Sequence, residues 1–305
     1  MKIIITGATG FIGSALTKKL LERGDEVVAL TRNALKAQQI LGDRVTVAEW
    51  DGKTAAGWGE HADGADAIVN LAGESIAAGR WTEAQKKRII DSRLNAGRAV
   101  VEAITQAKTK PKVLVQASGI GFYGNSIDDQ TVDESSPIGS GFLAEVSKQW
   151  EPVVADVENM GMRLVLLRTG VVLGNGGGAL SKMLLPFKLF AGGHMGDGKQ
   201  WFPWIHLDDQ INAILHLIDH EDLSGPFNLC APNPVRMKEF AKTLGRVIKR
   251  PSWMPAPAFM LKLVLGEMAE EALLSGQRAA PKALRDSGFT FAYPELQPAL
   301  EDLLT

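Results

Sequence analysis

Thr6-Gly7-Ala8-Thr9-Gly10-Phe11-Ile12-Gly13 stands between an apolar run, Lys2 to Ile5, and a segment in which Phe11, Ile12, Leu16, Leu20 and Leu21 recur with helical period. A strand that turns on glycines directly into a helix is the shape that cradles a dinucleotide pyrophosphate. Gly7 permits the tight exit from the strand, Gly10 lets backbone approach the phosphates, and Gly13 lets the helix pack on the sheet. The first N–H groups of that helix, around Thr9 to Ile12, face the anion.

About twenty residues beyond such a turn, at the end of the next strand, an NAD binder presents a carboxylate to the ribose hydroxyls. Here the second apolar run, Glu26 to Leu30, ends in Thr31-Arg32-Asn33. An arginine pairs with a 2′-phosphate, so Arg32 predicts NADP(H). Val45 to Ala48 reads as a third strand, and Asp51 beyond it is a candidate for the adenine amine and equally for a turn aspartate. Ala67 to Leu71 reads as a fourth, with Asn70-Leu71-Ala72-Gly73 at its end, where small residues let a cofactor lie across the strand; Leu71, Ala72 and Gly73 join the cofactor candidates.

A helix from Thr82 to about Ala107, a strand from Val113 to Gln116, an interrupted helix from Gly141 to Met160 and a strand from Arg163 to Leu167 continue the alternation. Strictly alternating elements argue an α/β fold, a Rossmann-type doubly wound parallel sheet with ligands at its switch point. Residues 1–170 form the expected NADP-binding domain, its sheet completed from within 205–230, and residues 171–305 a smaller substrate lobe with a helical tail. In that lobe Lys199 and Gln200 are candidates for an anionic or sugar-like group. The run His206-Leu207-Asp208-Asp209 suggests helix capping by the aspartates, and no metal site is expected. Ala258 to Leu274 reads as one apolar helix, and Cys230 as a buried structural residue.

The 305 residues are 45% hydrophobic and 22% charged with a formal net charge of -2, and no apolar run reaches transmembrane length. These values argue against disorder, a membrane protein or a nucleic-acid binder, and for a small-molecule substrate. A strand beginning at residue 2 and a single cysteine point to the cytoplasm.

Thr6 to Gly13, Asn70 to Gly73 and Ser118 with Tyr123-Gly124 together resemble extended short-chain dehydrogenase/reductases, the group that includes nucleotide-sugar epimerases. Asn70 to Glu74, the Ser92-Arg93 pair, Gly192 to Asp209 and Gln277 to Phe291 are similar to its atypical "epimerase family protein" branch. The resemblance implies an Asn, a Ser or Thr and a Tyr-x-x-x-Lys pair in which the lysine lowers the tyrosine pKa and holds the nicotinamide ribose. It assigns these roles to Asn95, Ser118 and Lys148, but Ala144 occupies the tyrosine position. Two readings stay open. Tyr123 supplies the acid/base in an NADP-dependent oxidoreductase or epimerase-like enzyme, or the chain is an NADP-binding sensor or structural protein. Arg93, on the long helix, is a candidate for a substrate carboxylate or phosphate and equally for a surface ion pair. Related folds dimerise through two long helices, and both a monomer and a homodimer are compatible with the sequence.

Overall fold

The computed structural model describes residues 1–125 and 129–305. Its first half runs β1 (Lys2–Thr6), α1 (Phe11–Arg23), β2 (Glu26–Thr31), α2 (Ala34–Leu41), β3 (Thr46–Glu49), β4 (Ala67–Asn70), α3 (Glu83–Gln106), β5 (Val113–Gly119), β6 (Thr131–Val132), α4 (Phe142–Trp150) and α5 (Asp156–Asn159). It continues with β7 (Arg163–Thr169), β8 (Val171–Leu173), α6 (Gly178–Lys188), β9 (Trp201–Phe202), β10 (Trp204–His206), α7 (Leu207–Asp219) and β11 (Gly225–Leu229). The remainder comprises β12 (Val235–Arg236), α8 (Met237–Val247), α9 (Ala258–Leu265), α10 (Glu267–Ala272), β13 (Arg278–Ala279), α11 (Lys282–Asp286) and α12 (Leu296–Leu304).

Seven parallel strands form the central sheet in the order β3-β2-β1-β4-β5-β7-β11. Strand order reverses between β1 and β4, so the crevice at their carboxyl ends is the switch point where open α/β sheets bind ligands. Successive residues of a strand face opposite sides. Ile3, Ile5, Val27 and Val69 accordingly pack with Leu16, Leu20 and Ile214 of α1 and α7, while Ile4, Val28, Ile68 and Leu114 pack with Ala96, Val100 and Ile104 of α3. Each fully buried aliphatic side chain stabilises the fold by about 1.5–3 kcal/mol, which fixes the strand ends that carry the site. A third core, with Phe187, Phe202, Trp204, Phe240 and Leu300, joins α6, α8 and α12 in the second lobe.

Several elements depart from the sequence expectation. β5 runs three residues past Gln116, because its neighbour β7 continues alongside it and pairs Ser118 with Arg168 and Gly119 with Thr169. The apolar segment 258–274 is two helices broken at Gly266, whose φ of 65° no helical residue adopts. The cap of α7 is His206, whose ring accepts from the Asp208 N–H. Asp208 and Asp209 lie inside the first turn, where their charge still suits the helix dipole. Asp209 is buried, and its carboxylate accepts from the backbone N–H groups of Ala292 and Tyr293, tying the C-terminal segment to the sheet domain. No helix among the described residues is long and apolar enough to cross a membrane.

Candidate functional site

The glycine turn is built as tightly as its sequence requires. Gly7 has φ 68°, and a Cβ there would stand 3.1 Å from the carbonyl of Leu71. A Cβ on Gly13 would stand 2.2 Å from the Gly7 carbonyl oxygen. Gly10 begins α1 with no side-chain cap and no acidic residue in the first turn, so its N-terminal dipole is left for an external anion. Thr9 and Ile12 are half-buried in the turn. The Phe11 ring lies against a second glycine-dense loop, and a Cβ on Gly174, Gly177 or Gly178 would come within 2.8 Å of it. That loop is shaped around the turn, a relation between segments far apart in sequence, Phe11 and Gly174 to Gly178, that local reading misses.

A buried polar row beside the turn joins the carboxyl ends of β1 and β4 to the middle of β5. The Thr6 hydroxyl donates to Asn70 Oδ1 (2.5 Å) and accepts from the Ala72 N–H, and Asn70 Nδ2 donates to Gln116 Oε1 (2.8 Å). These bonds fix the start of the Leu71-Ala72-Gly73 segment in contact with Gly7. Their signal in the sequence is three hydrogen-bonding residues at matching positions of otherwise apolar strands.

Arg93 lies directly beneath that segment. A Cβ on Gly73 would stand 3.3 Å from the Arg93 guanidinium carbon, and the Trp150 ring covers the group at 4.7 Å. Arg93 Nη1 donates to the carbonyls of Glu74 (3.0 Å) and Ile89 (2.9 Å), while the Ser92 hydroxyl accepts from the Glu74 N–H. Burial pushes the Arg93 pKa down to about 10, against the pull of Glu74. Nε is buried with no partner among the described residues, so this pinned, planar cation keeps one enclosed donor unused. This is not a surface ion pair.

The geometry redirects Ser118 and Tyr123. The Ser118 hydroxyl donates to Glu151 Oε1 (2.7 Å), and Arg168 donates from Nε and Nη2 to both oxygens of the same carboxylate. Arg168 Nη1 donates to the Tyr123 oxygen (3.1 Å), and that hydroxyl donates to Asn228 Oδ1 (2.7 Å). All five residues are buried. Burial works against the charge of Arg168, but its bonds to Glu151 and Tyr123 hold its pKa above the ordinary value. Ser118 and Tyr123 therefore tie β5, β7 and β11 together through buried hydrogen bonds.

Burial pushes the Tyr123 phenol up to about 12, against the opposing influence of Arg168. The only other tyrosine, Tyr293, is pushed up to about 12 by its hydrogen bond to Asp302. Ultraviolet titration of the native protein should show little phenolate near pH 10, the ordinary tyrosine range. The neutral phenol is favoured in the folded state, so its contribution is complete below the unfolded pKa of about 10 and is lost as pH rises toward 12. Phenolate formed near pH 10 before any unfolding would contradict this assignment.

The other candidates separate by exposure. Arg32 is exposed just past β2, and Asn33 caps α2. Asp51 closes a turn, its carboxylate accepting from Lys53 and Thr54 N–H groups, which lower its pKa. Lys148 is exposed on α4, Ala144 is buried one turn before it, and Asn95 is half-buried on α3. Lys199 is exposed. Gln200 is a correction: it is buried, and its Nε2 donates to the carbonyls of Met195 and Leu273, so it braces the second lobe and offers no donor to a ligand. Cys230 is buried, with its thiol pushed upward by that burial. Among the described residues no cluster of metal-ligating side chains occurs.

Residues 3–230 match the model of the NAD dependent epimerase/dehydratase family. The chain belongs to that family. Residues 256–303 match a second model, a domain of unknown function (DUF1731), which spans α9 to α12. Epimerase family protein YfhF of Bacillus subtilis is 43% identical over 304 residues, covering 100% of this chain and 98% of that protein. The chloroplastic SDR39U1 homolog of Arabidopsis thaliana is 41% identical over 310 residues, covering 100% and 87%. The human epimerase family protein SDR39U1, solved with NADPH, superposes with a TM-score of 0.88 at 36% identity and 99% coverage of both chains. These relatives bear out an atypical extended short-chain dehydrogenase/reductase with a Rossmann-type sheet. Within the epimerase family fold, the glycine turn, the polar row and Arg93 all meet the Leu71–Glu74 segment, while Ser118 and Tyr123 are buried in the Glu151–Arg168 network.

Proposed function

We propose that this epimerase-family protein binds NADP(H) at the Gly7–Gly13 turn and exchanges hydride with a carbonyl or alcohol carbon of a small substrate that carries an oxyanion. The observation that carries the reading is Arg93, a buried cation held against Gly73 beside the glycine turn with its Nε unpartnered among the described residues. The tight glycine turn and the uncapped helix start fit the pyrophosphate, and the NADPH held by human SDR39U1 supports the choice of dinucleotide. Bound nicotinamide supplies or accepts the hydride. The chain's own contributions are to hold pyrophosphate on the α1 N-terminus, the adenosine 2′-phosphate at Arg32, and the substrate oxyanion at Arg93. Lys148 and Asn95 are proposed to reach the ribose and the substrate from α4 and α3. A second reading, an NADP(H)-retaining protein without turnover, is favoured by the commitment of Tyr123 and Ser118 to buried hydrogen bonds.

Arg32→Ala should remove most of a preference for NADPH over NADH, a loss of roughly tenfold or more for one charged pair in a phosphate site. Equal affinities of the unaltered protein for the two dinucleotides would sink the Arg32 assignment. Turnover is tested by NADPH absorbance against paired carbonyl substrates with and without a carboxylate. Consumption confined to the carboxylates and lost in Arg93→Met, with NADPH binding retained, is the expected result. Tight NADPH binding without consumption of any substrate would favour the second reading.

A further inference from the structure

One surface of the second lobe is apolar and basic at once. Phe190 and Trp253 are 57% and 65% exposed, and Phe259 and Leu263 are 69% and 73% exposed. They form one surface: Trp253 Nε1 donates to the Phe190 carbonyl, Met254 N–H to the Gly192 carbonyl, and α9 follows directly after Pro257. Helix α9, Ala-Phe-Met-Leu-Lys-Leu-Val-Leu, contains no buried residue. Side chains of this size normally enter a core or cover a partner, and a continuous exposed group of them marks an interaction surface.

The charge around this surface states the partner's chemistry. Residues 178–196 contain no carboxylate and residues 235–264 only Glu239, against nine lysines and arginines in a chain of net charge -2. Glu267, Glu270 and Glu271 of the adjoining α10 are engaged with Lys86, with Lys262 of α9 and with the Phe142 and Leu143 N–H groups. Lys182, Lys188, Lys249 and Arg250 form no ion pair among the described residues. Arg250 lies over the Phe190 ring at 4.7 Å, and with Lys188 and Lys249 it lines a cavity of ≈ 760 Å³ beside the patch, three cations against Asp302 and the C-terminal Thr305. A twofold contact centred on these cations would bring like charges together. Three exposed rings alone could stack on nucleic-acid bases, but most of the patch, with Leu185, Leu189, Met254, Met260, Leu263 and Val264, is aliphatic and offers no such platform. Aromatic and aliphatic side chains among lysines and arginines are the composition of a segment that lies at the headgroup boundary of an anionic bilayer.

We propose that α9 and the Leu185–Phe190 and Trp253–Met254 segments dock this protein on an anionic phospholipid surface, the apolar side chains entering the headgroup layer and Lys188, Lys249 and Arg250 meeting lipid phosphates. The experiment is co-sedimentation of the full chain with vesicles of phosphatidylcholine alone or containing about 30 mol % phosphatidylglycerol, a content that gives a strongly negative surface. Binding should favour the anionic vesicles at least tenfold and disappear near 0.5 M salt, where the Debye length is roughly 4 Å. Phe259→Ser with Leu263→Ser, and separately Lys188→Glu with Arg250→Glu, should each lower it at least tenfold while thermal unfolding and NADPH affinity stay unchanged. Equal partitioning to both vesicles, or none, would overturn the proposal. So would a dimer of the unaltered protein that Phe259→Ser dissociates, or vesicle binding that neither pair of substitutions weakens.

Discussion

Gly13→Ala should lower NADPH affinity by at least about a hundredfold, the largest effect expected of any single-methyl change in this chain. The added Cβ would stand 2.2 Å from the Gly7 carbonyl oxygen and 2.8 Å from the Ala8 Cα, both backbone atoms that no rotamer change can move aside. The turn has little room in the other direction, because Gly7 lies so close to the next strand's end that a Cβ on it would stand 3.1 Å from the Leu71 carbonyl. Either α1 tilts away from the sheet or the strand exit shifts, and both displace the N–H groups that would meet the pyrophosphate. A misplacement of about 1 Å is enough to cost two orders of magnitude in a site built on geometry. Overpacking itself should cost only about 1–3 kcal/mol, so the variant should still give a folded far-ultraviolet spectrum. Gly79→Ala is the control, since nothing lies within 4 Å of a Cβ there and its φ is ordinary. Unchanged NADPH affinity in a folded Gly13→Ala protein would remove the turn from the cofactor site.

The turn was legible in the sequence because its physics is local: three glycines, one strand and one helix are adjacent in the chain. The order of strands was legible for a similar reason, since alternating apolar runs and amphipathic helices leave few ways to wind a parallel sheet. Tyr123 misled because position along a strand does not say which side of the sheet a side chain enters after the strand ends. Its 3-10 turn, Ile120–Tyr123, carries the phenol inward to Asn228, a residue 105 positions away. Gln200 misled for the same reason, its two acceptors lying on separate segments of the second lobe. Arg93 was ambiguous until α3 was seen to pass beneath Gly73. The break between α9 and α10 rests on one glycine inside an unbroken apolar pattern, and periodicity alone does not register a single left-handed residue.

The Glu151–Arg168 pair had no signal of its own, and it carries the second large prediction. Arg168→Met leaves a buried carboxylate with only Ser118 as a hydrogen-bond donor among its present side-chain partners. Removing one member of a buried ion pair costs about 3–5 kcal/mol, a large part of the roughly 5–15 kcal/mol that holds a domain together. The melting temperature should fall by roughly 10 °C. Adding Glu151→Gln to Arg168→Met should recover much of that loss, because the stranded charge is gone and the amide can still accept from Ser118. Failure of the double variant to recover would mean that the cost lies in lost packing of Arg168 over the Phe122 ring, 3.4 Å from its guanidinium carbon. The tyrosines report independently on the same change. Arg168 opposes the upward shift of Tyr123, so its removal should move that phenol's titration to still higher pH while Tyr293, held by Asp302, stays where it is. A melting temperature within about 2 °C of the unaltered protein would show that the network contributes little, since a change that small corresponds to roughly 1 kcal/mol.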